Sequence, residues 1–243
     1  TPARSFLDNV TTRIVELDRG RLLSFPGNFS AYQKRKTELL EVEAVEEVWH
    51  GLLPPYAELF DWAEGRCTQP VASDLPIFRP FMLAHPLEQQ PTDLSEYAAE
   101  WKWDGIRAQL VHIGGQTRLY SRAGDDITHS FPDIAAAFNV EAVLDGELLV
   151  RGDIQGGQAA SFNALQQRLN RKTVTAQMLR DYPAIVRLYD ILFDGPEDLR
   201  ALPWTERRVR LEALMSRLDP ERFDISAIID VPDWDTLEAM RGG

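Results

Sequence analysis

The segment from Lys102 to Arg107 reads Lys-Trp-Asp-Gly-Ile-Arg and places a lysine, a carboxylate and an arginine around one glycine. A lysine amine can attack the α-phosphorus of a nucleoside triphosphate when neighbouring cations or partial burial lower its pKa. Asp104 is suited to orient that amine or a Mg²⁺ ion, and Arg107 to neutralise phosphate or pair with the ribose. The segment therefore predicts a nucleotide-transfer site, with an ordinary ion pair at a strand end as the alternative.

The pattern Lys-x-Asp-Gly-x-Arg resembles motif I of the covalent nucleotidyltransferases, which include DNA ligases, RNA ligases and mRNA capping enzymes. Three later motifs of that group also have counterparts, although singly each counterpart is a common structural piece. A Ser-Arg-x-Gly turn resembles motif Ia, an Asp-Gly-Glu within an apolar run resembles motif III, and a buried strand with an aromatic residue resembles motif IIIa. These counterparts lie at residues 119–124, 143–150 and 187–195.

The resemblance implies a role for individual residues. Lys102 would be the nucleophile, Arg122 would bind the sugar and phosphates, and Tyr189 would stack on the purine base. Mg²⁺ would be held by Glu147 and Asp104, and the nucleotide would be ATP. The residues expected to bind the nucleotide are Glu100, Trp101, Lys102, Arg107, Arg122, Glu147 and Tyr189.

Within the group, about residues 47–240 are most similar to ATP-dependent DNA ligases of the bacterial type. The similarity rests on three stretches at residues 78–87, 161–172 and 195–208. It implies an enzyme that forms lysyl-AMP and seals nicks in double-stranded DNA. Two alternatives remain open: a capping-type guanylyltransferase or RNA ligase, and a non-catalytic nucleotide-binding fragment or fusion product. The chain ends before any Glu-Gly-x-x-x-Lys of motif IV, Lys-x-Lys of motif V or oligonucleotide-binding barrel, so we expect the isolated chain to be incomplete.

The charge of the chain is unusual for a protein that binds DNA. The 26 lysines and arginines and 38 aspartates and glutamates give a net charge of −12, whereas a DNA-binding surface is generally basic. A local basic stretch, residues 166–180, contains no acid. We expect DNA phosphates to contact Arg168, Arg171 and Lys172, with a solvated basic helix face as the alternative.

The sequence of the first 46 residues does not resemble that of a DNA ligase. About residues 5–46 resemble the end of an ABC-F type ATPase domain and its linker helix, which suggests a fusion or chimera. No phosphate-binding Gly-x-x-x-x-Gly-Lys-Ser/Thr loop accompanies them, so ATPase activity is not expected from this segment. Their pattern predicts a hairpin over 13–25 and a helix over about 31–50 capped by Asn28 or Ser30.

The remaining pattern predicts three segments, 1–46, 47–76 and 77–243, the second with a short helix at about 56–65. In the third, strand-like runs near 97–103, 106–113, 117–122, 142–150 and 184–192 alternate with helices near 131–138, 161–169, 175–181 and 205–218. This indicates an α+β fold. The resemblance implies the DNA ligase adenylation domain, an ATP-grasp-like fold of twisted, mainly antiparallel sheets flanked by helices, preceded by a partly helical N-terminal segment.

The composition of the chain bears on its cellular location and on possible disulfide or zinc sites. The sequence contains no run of about eighteen apolar residues and no basic segment leading into an apolar one. We therefore expect a cytoplasmic protein without a membrane partner. The one cysteine, Cys67, excludes an intramolecular disulfide, and with four histidines it excludes a Cys/His zinc site. A monomer is the expected state.

Overall fold

The structure is a computed structural model that describes most of the chain. The described residues are 9–18, 21–49, 52, 55–70, 76–84, 87, 91, 93–151, 162–169, 171 and 173–241. The chain divides into two units, Thr1–Ser73 and Asp74–Gly243. The segment boundaries predicted from the sequence, and the resemblance of about residues 5–46 to an ABC-F domain, stay predictions. No helix of the described residues is both long and apolar enough to span a membrane.

The first unit consists of a β-hairpin and helices, as the sequence predicts. The backbone N–H of Ala31 donates to the Asn28 side-chain oxygen at 3.0 Å, and this contact satisfies one of the free N–H groups at a helix start. Asn28, rather than Ser30, therefore caps the long helix. The elements of this unit are β1 (Arg13–Asp18), β2 (Arg21–Pro26), α1 (Phe29–Trp49) and α2 (Ala57–Ala63).

The second unit contains the sheet that carries the predicted site. Its strands are β3 (Ala99–Glu100), β4 (Ile106–Ile113), β5 (Gln116–Ser121), β6 (Ala142–Val150), β7 (Ala184–Asp194), β8 (Glu197–Asp198), β9 (Phe223–Ile225) and β10 (Ile228–Ile229). Its helices are α3 (Pro132–Ala137), α4 (Phe162–Gln166), α5 (Ala176–Asp181), α6 (Trp204–Met215) and α7 (Trp234–Arg241), with a 3-10 turn at Thr128–Ser130.

The main sheet runs in the order β5-β4-β6-β7-β8, and β9 pairs with β7. Every pair is antiparallel except β7 with β9. This confirms the predicted α+β class with a mainly antiparallel sheet. The long strand-like runs supply the three central strands, which is consistent with the finding that none of their residues is exposed.

Alternation along β6 assigns its side chains to two faces, since successive residues of a strand point to opposite sides. Ala142, Leu144 and Leu148 belong to the main hydrophobic core, together with the helices that cover that face. Val143 belongs to a second, smaller cluster on the other side of the sheet. Asp145 and Glu147 follow Val143 at intervals of two, so both acids lie on the second face.

The strand predicted at 97–103 is much shorter than expected. Only Ala99 and Glu100 are extended, and they pair with β10. The ladder ends at Glu100, which pairs with the first residue of β10, and beyond it the Trp103 indole N–H donates to Ser226 Oγ at 3.1 Å. Residues 101–105 therefore form a loop between β3 and β4, which we call the lysine loop.

Candidate active site

The lysine loop lies where β4 enters the centre of the sheet. Ile106 begins β4 and pairs with Leu148 of β6, so the preceding residues are held against the middle strand. The side chains of Lys102 and Asp104 are exposed. The predicted nucleophile is thus solvent-accessible and is displayed by a loop that is anchored at both ends.

Gly105 sits where only a residue without a side chain fits. A Cβ atom placed there would lie 2.2 Å from the Leu148 carbonyl oxygen and 2.8 Å from Glu147 Cγ, distances that real Cβ contacts essentially never show. The Gly105 backbone N–H also hydrogen-bonds the Glu147 carboxylate. This close approach ties the lysine loop to the acidic residue of the sheet.

Gly105→Ala is expected to lower the yield of nucleotide-labelled protein at least tenfold, because the loop must move off β6 to accommodate the methyl group. Labelling with radioactive ATP and thermal melting would measure the effect. Gly115→Asn is the matched control, since Gly115 has nothing within 4 Å of its Cβ position and a φ of +72° that asparagine tolerates. Full labelling of the alanine variant would contradict the predicted role of the close contact.

Arg107 is fixed in the sheet by an ion pair with Asp145. Its Nε donates to Asp145 Oδ1 at 3.2 Å and its Nη2 donates to Asp145 Oδ2. The guanidinium also lies over the rings of Phe81 and Tyr189, with centroids at 4.4 and 5.6 Å. The Tyr189 hydroxyl donates to Asp145 as well. The structure therefore brings two of the predicted nucleotide-binding residues together around a buried carboxylate.

Asp145 is a site residue that the sequence reasoning missed. Its side chain is buried, and burial raises its pKa from 3.8 to about 6 against the opposing effect of Arg107. Burying a carboxylate is costly unless it is paired and hydrogen-bonded. A signal was present, because Asp145 is a charge within the apolar run of β6 and lies two residues from Glu147 on the same face.

Glu147 lies directly opposite Arg107 in the register of β4 and β6. Burial raises its pKa from 4.5 to about 7, and the charges of Asp145 and Asp104 raise it further, whereas the Gly105 N–H and Arg107 lower it. The carboxylates of Asp104 and Asp145 thus both interact with that of Glu147. The part of the chain that the structure describes contains no group of three or more His, Cys, Asp or Glu side chains that alone would hold a metal.

The raised pKa of Glu147 predicts how stability varies with pH. Between about pH 4.5 and 7 the folded state binds more protons at Glu147 than the unfolded state does, so the free energy of unfolding falls as pH rises through that window. In the absence of nucleotide and metal, Glu147→Gln should raise Tm by about 2 °C more at pH 8 than at pH 5. The exposed Glu141→Gln serves as control, and an equal effect of Glu147→Gln at both pH values would contradict the prediction.

The other predicted nucleotide-binding residues lie near this cluster at its edge. Arg122 is exposed and directly follows β5, whose last residue, Ser121, pairs with Ala108, the neighbour of Arg107. Trp101 is 46% exposed. Glu100 is half-buried, and burial raises its pKa, while Ser226 and Arg208 lower it.

The predicted DNA contact of Arg168 is wrong for this fold. Its side chain is fully buried and pairs with both carboxylate oxygens of Asp133. It also donates to the carbonyl oxygens of Ser130 and Tyr182, each at 3.1 Å. No phosphate can reach it, because protein acceptors occupy its donors. Arg171 is exposed, and the predicted contact of Lys172 lies outside the described residues.

A mainly antiparallel sheet that carries a lysine loop beside an Arg107–Asp145–Tyr189 cluster is the arrangement of a covalent nucleotidyltransferase domain. The comparison with known families narrows this class. The model of the family described as "ATP dependent DNA ligase domain" matches residues 81–241. The chain belongs to this family, which disfavours the capping-type and RNA ligase alternatives.

Named relatives agree with this membership. A probable DNA ligase of Koribacter versatilis is 36% identical over 157 residues, which are 61% of this chain and 27% of the relative. A DNA ligase of Pyrobaculum neutrophilum is 34% identical over 185 residues, 71% of this chain and 31% of the relative. The chain thus spans less than a third of either relative. A solved structure of mycobacterial DNA ligase D complexed with ATP and MES is 27% identical, with a TM-score of 0.46 over 60% of this chain and 44% of that chain.

Proposed function

We propose that this chain is the adenylation part of an ATP-dependent DNA ligase that seals nicks in double-stranded DNA. In the first step the Lys102 amine attacks the α-phosphorus of ATP, a phosphoramidate bond forms and pyrophosphate leaves. AMP then passes to the 5′-phosphate at a nick, and the 3′-hydroxyl displaces it. The observation that carries the proposal is the accessible Lys102 in a loop held against Glu147 and beside the Arg107–Asp145–Tyr189 cluster.

The residues around the loop supply binding and orientation. Tyr189 offers an aromatic face to the purine, and the resemblance assigns Arg122 and Arg107 to the sugar and phosphates. Arg107 is already held in one plane by Asp145, so it can meet a nucleotide with little loss of side-chain entropy. Glu100, the last residue of β3, and Trp101, the first residue of the lysine loop, precede Lys102, and the nucleotide base or sugar would contact them there.

Mg²⁺ fits the acidic side of this site. Asp104 and Glu147 provide hard oxygen donors. Burial is the main cause of the raised pKa of Glu147 and the charge of Asp104 adds to it, so a cation would favour the ionised form of Glu147. Two carboxylates are typical for Mg²⁺, which keeps several waters and binds substrate phosphates for its other positions. When bound, the ion would supply charge neutralisation for the triphosphate and the leaving pyrophosphate.

Nicked duplex DNA is the proposed partner. Since the chain carries a net charge of −12, DNA binding would depend on local basic groups, of which Arg171 is exposed and Lys172 is its neighbour in the sequence. Repair, recombination and replication are the processes in which such an activity is used. We propose that the protein acts as a monomer in the cytoplasm.

The first step can be tested directly on the purified chain. Incubation with α-labelled ATP and Mg²⁺, with GTP in parallel, should give AMP on Lys102 from ATP alone, identified by intact mass and peptide mapping. Unlabelled nicked DNA should discharge the adduct, whereas nicked RNA should not. Labelling from GTP or discharge by RNA would favour the capping-type or RNA ligase alternative, and no label from either nucleotide would favour a non-catalytic fragment or fusion product.

A further inference from the structure

Ser226 is a buried residue whose polar groups all join other parts of the second unit. It is fully buried and directly follows β9. In the sequence it is more than 120 residues away from the lysine loop. Its backbone N–H donates to the Leu188 carbonyl oxygen of β7 at 2.8 Å. Its own carbonyl oxygen accepts from Arg208 Nη2 of α6 at 2.8 Å. Both backbone groups are therefore held by the sheet and the helix.

The Ser226 hydroxyl contacts one residue on each side of Lys102 in the sequence. The Trp103 indole N–H donates to Ser226 Oγ at 3.1 Å, and the hydroxyl hydrogen-bonds the Glu100 carboxylate. A serine hydroxyl has one proton to donate and lone pairs to accept, so it can serve the indole donor and the carboxylate acceptor at once. Lys102 lies between these two neighbours in the sequence.

The same segment holds Trp103 from a second direction. Arg187 of β7 lies over the Trp103 ring, with 4.0 Å between its Cζ and the ring centroid. Arg187 in turn pairs with both oxygens of Asp224, at 2.9 and 2.6 Å. Asp224 precedes Ser226 by two residues. Segment 224–226 therefore fixes the indole at its N–H edge and, through Arg187, at its face.

Glu100 is also held from two sides. Arg208 is buried, and its Nη1 lies 3.7 Å from Glu100 Oε1 with no closer hydrogen-bond partner among the described residues. Its Nε donates to Glu212 at 2.7 Å. Because Arg208 also binds the Ser226 carbonyl, the carboxylate, the hydroxyl and the guanidinium form one connected network. This network reaches the residue two positions before Lys102.

We propose that Ser226 is a positioning residue that sets the placement of Lys102 through Glu100 and Trp103. This inference rests on the proposed function, since it concerns the attack of Lys102 on ATP. A reacting group that is displaced by about 1 Å can lose on the order of 100-fold in rate. Ser226 does not contact the nucleotide in this proposal; it reduces the number of positions that the lysine loop occupies.

The test compares Ser226→Ala with the wild-type chain in single-turnover adenylation. The rate constant for AMP transfer to Lys102 should fall about tenfold, while the fraction of molecules that become labelled and the ATP concentration for half-maximal rate stay unchanged. A purely structural role would instead lower the labelled fraction at an unchanged rate constant. Ser216→Ala is the matched control, because Ser216 is exposed and its hydroxyl donates to the Ala213 carbonyl in the last turn of α6.

Two further measurements separate the possible outcomes. Trp103→Phe keeps an aromatic ring for Arg187 but removes the indole donor, so the double variant with Ser226→Ala should be no slower than the slower single variant. Additive losses would overturn the proposed route through Trp103. Hydrogen exchange of residues 99–106 should rise in Ser226→Ala and stay unchanged in Ser216→Ala. Hydrogen exchange can be measured without any labelling activity, so the two proposals fail separately. A wild-type chain that is never labelled refutes the proposed function. Unchanged exchange or an unchanged rate constant in Ser226→Ala refutes the role of Ser226.

Discussion

Lys102→Ala is expected to abolish adenylate formation and leave the fold intact. The Lys102 amine is the atom that bonds to the nucleotide in the proposed first step, and alanine supplies no nucleophile at this position. The side chain is exposed, so its removal creates no cavity and leaves no buried group unpaired. Labelling should fall by at least 1000-fold, on the order of the loss from removing a covalent nucleophile, while circular dichroism and Tm remain those of the wild type.

Two further variants sharpen this experiment. Lys102→Arg keeps the positive charge, but a guanidinium is not deprotonated in proteins, so it should also give no adduct. Lys34→Ala removes a lysine that is 80% exposed in the first unit and should label fully. An adduct that persists in Lys102→Ala would place the reactive lysine elsewhere and would refute the assignment.

The sequence predicts the central strands well because their apolar runs leave little choice of structure. The runs predicted near 106–113, 142–150 and 184–192 are long, and each is observed as a strand of the main sheet, the last one extending to Asp194. Their functional residues follow from the resemblance, and the structure places Arg107, Glu147 and Tyr189 on one face. Asp145 was not assigned a role, because only the pairing of β4 with β6 reveals that its carboxylate lies beneath Arg107.

The support behind the lysine loop could not be predicted in the same way. Strands β9 and β10 have three and two residues, too few for an alternating pattern to be recognised. The contact between Trp103 and Ser226 joins residues that are 123 positions apart. Serine is a common residue of turns and loops, so its type alone gives no indication of such a contact. The strand predicted at 97–103 is too long for a related reason, since its pairing partner is the two-residue β10, which is distant in the sequence.

Arg168 is buried and Arg171 is exposed, a difference that the composition of the segment does not predict. Both belong to the basic stretch 166–180, which suggested a surface that follows phosphates. Asp133, the partner of the buried Arg168, is 35 residues earlier in the chain. Arg171 is exposed, and its Nε donates to the Gln167 carbonyl of the same segment at 3.2 Å. A charge run thus contains one arginine that stabilises the fold and one that is available to a ligand.

Arg168→Met is therefore expected to destabilise the second unit by about 3 kcal/mol, the lower end of the range for breaking a buried ion pair. The lower end applies because Arg222 Nη1 still donates to Asp133 at 3.0 Å. Two carbonyl oxygens also lose their donors. Urea unfolding should show a lower midpoint, and Arg168→Lys should fall between the wild type and the methionine variant, since an ammonium cannot span all four acceptors.

Arg171→Ala is expected to have the opposite pattern, with little effect on stability and a clear effect on DNA binding. Because its side chain is exposed, the free energy of unfolding should change by no more than about 0.5 kcal/mol. The loss of one phosphate contact should weaken binding to nicked duplex DNA and reduce the slope of log K against log salt concentration by about 1. Arg168→Met should leave DNA affinity unchanged at temperatures where it remains folded. Weaker DNA binding by a fully stable Arg168→Met protein would show that this arginine reaches the surface, and would return it to the DNA-contacting role that its burial excludes.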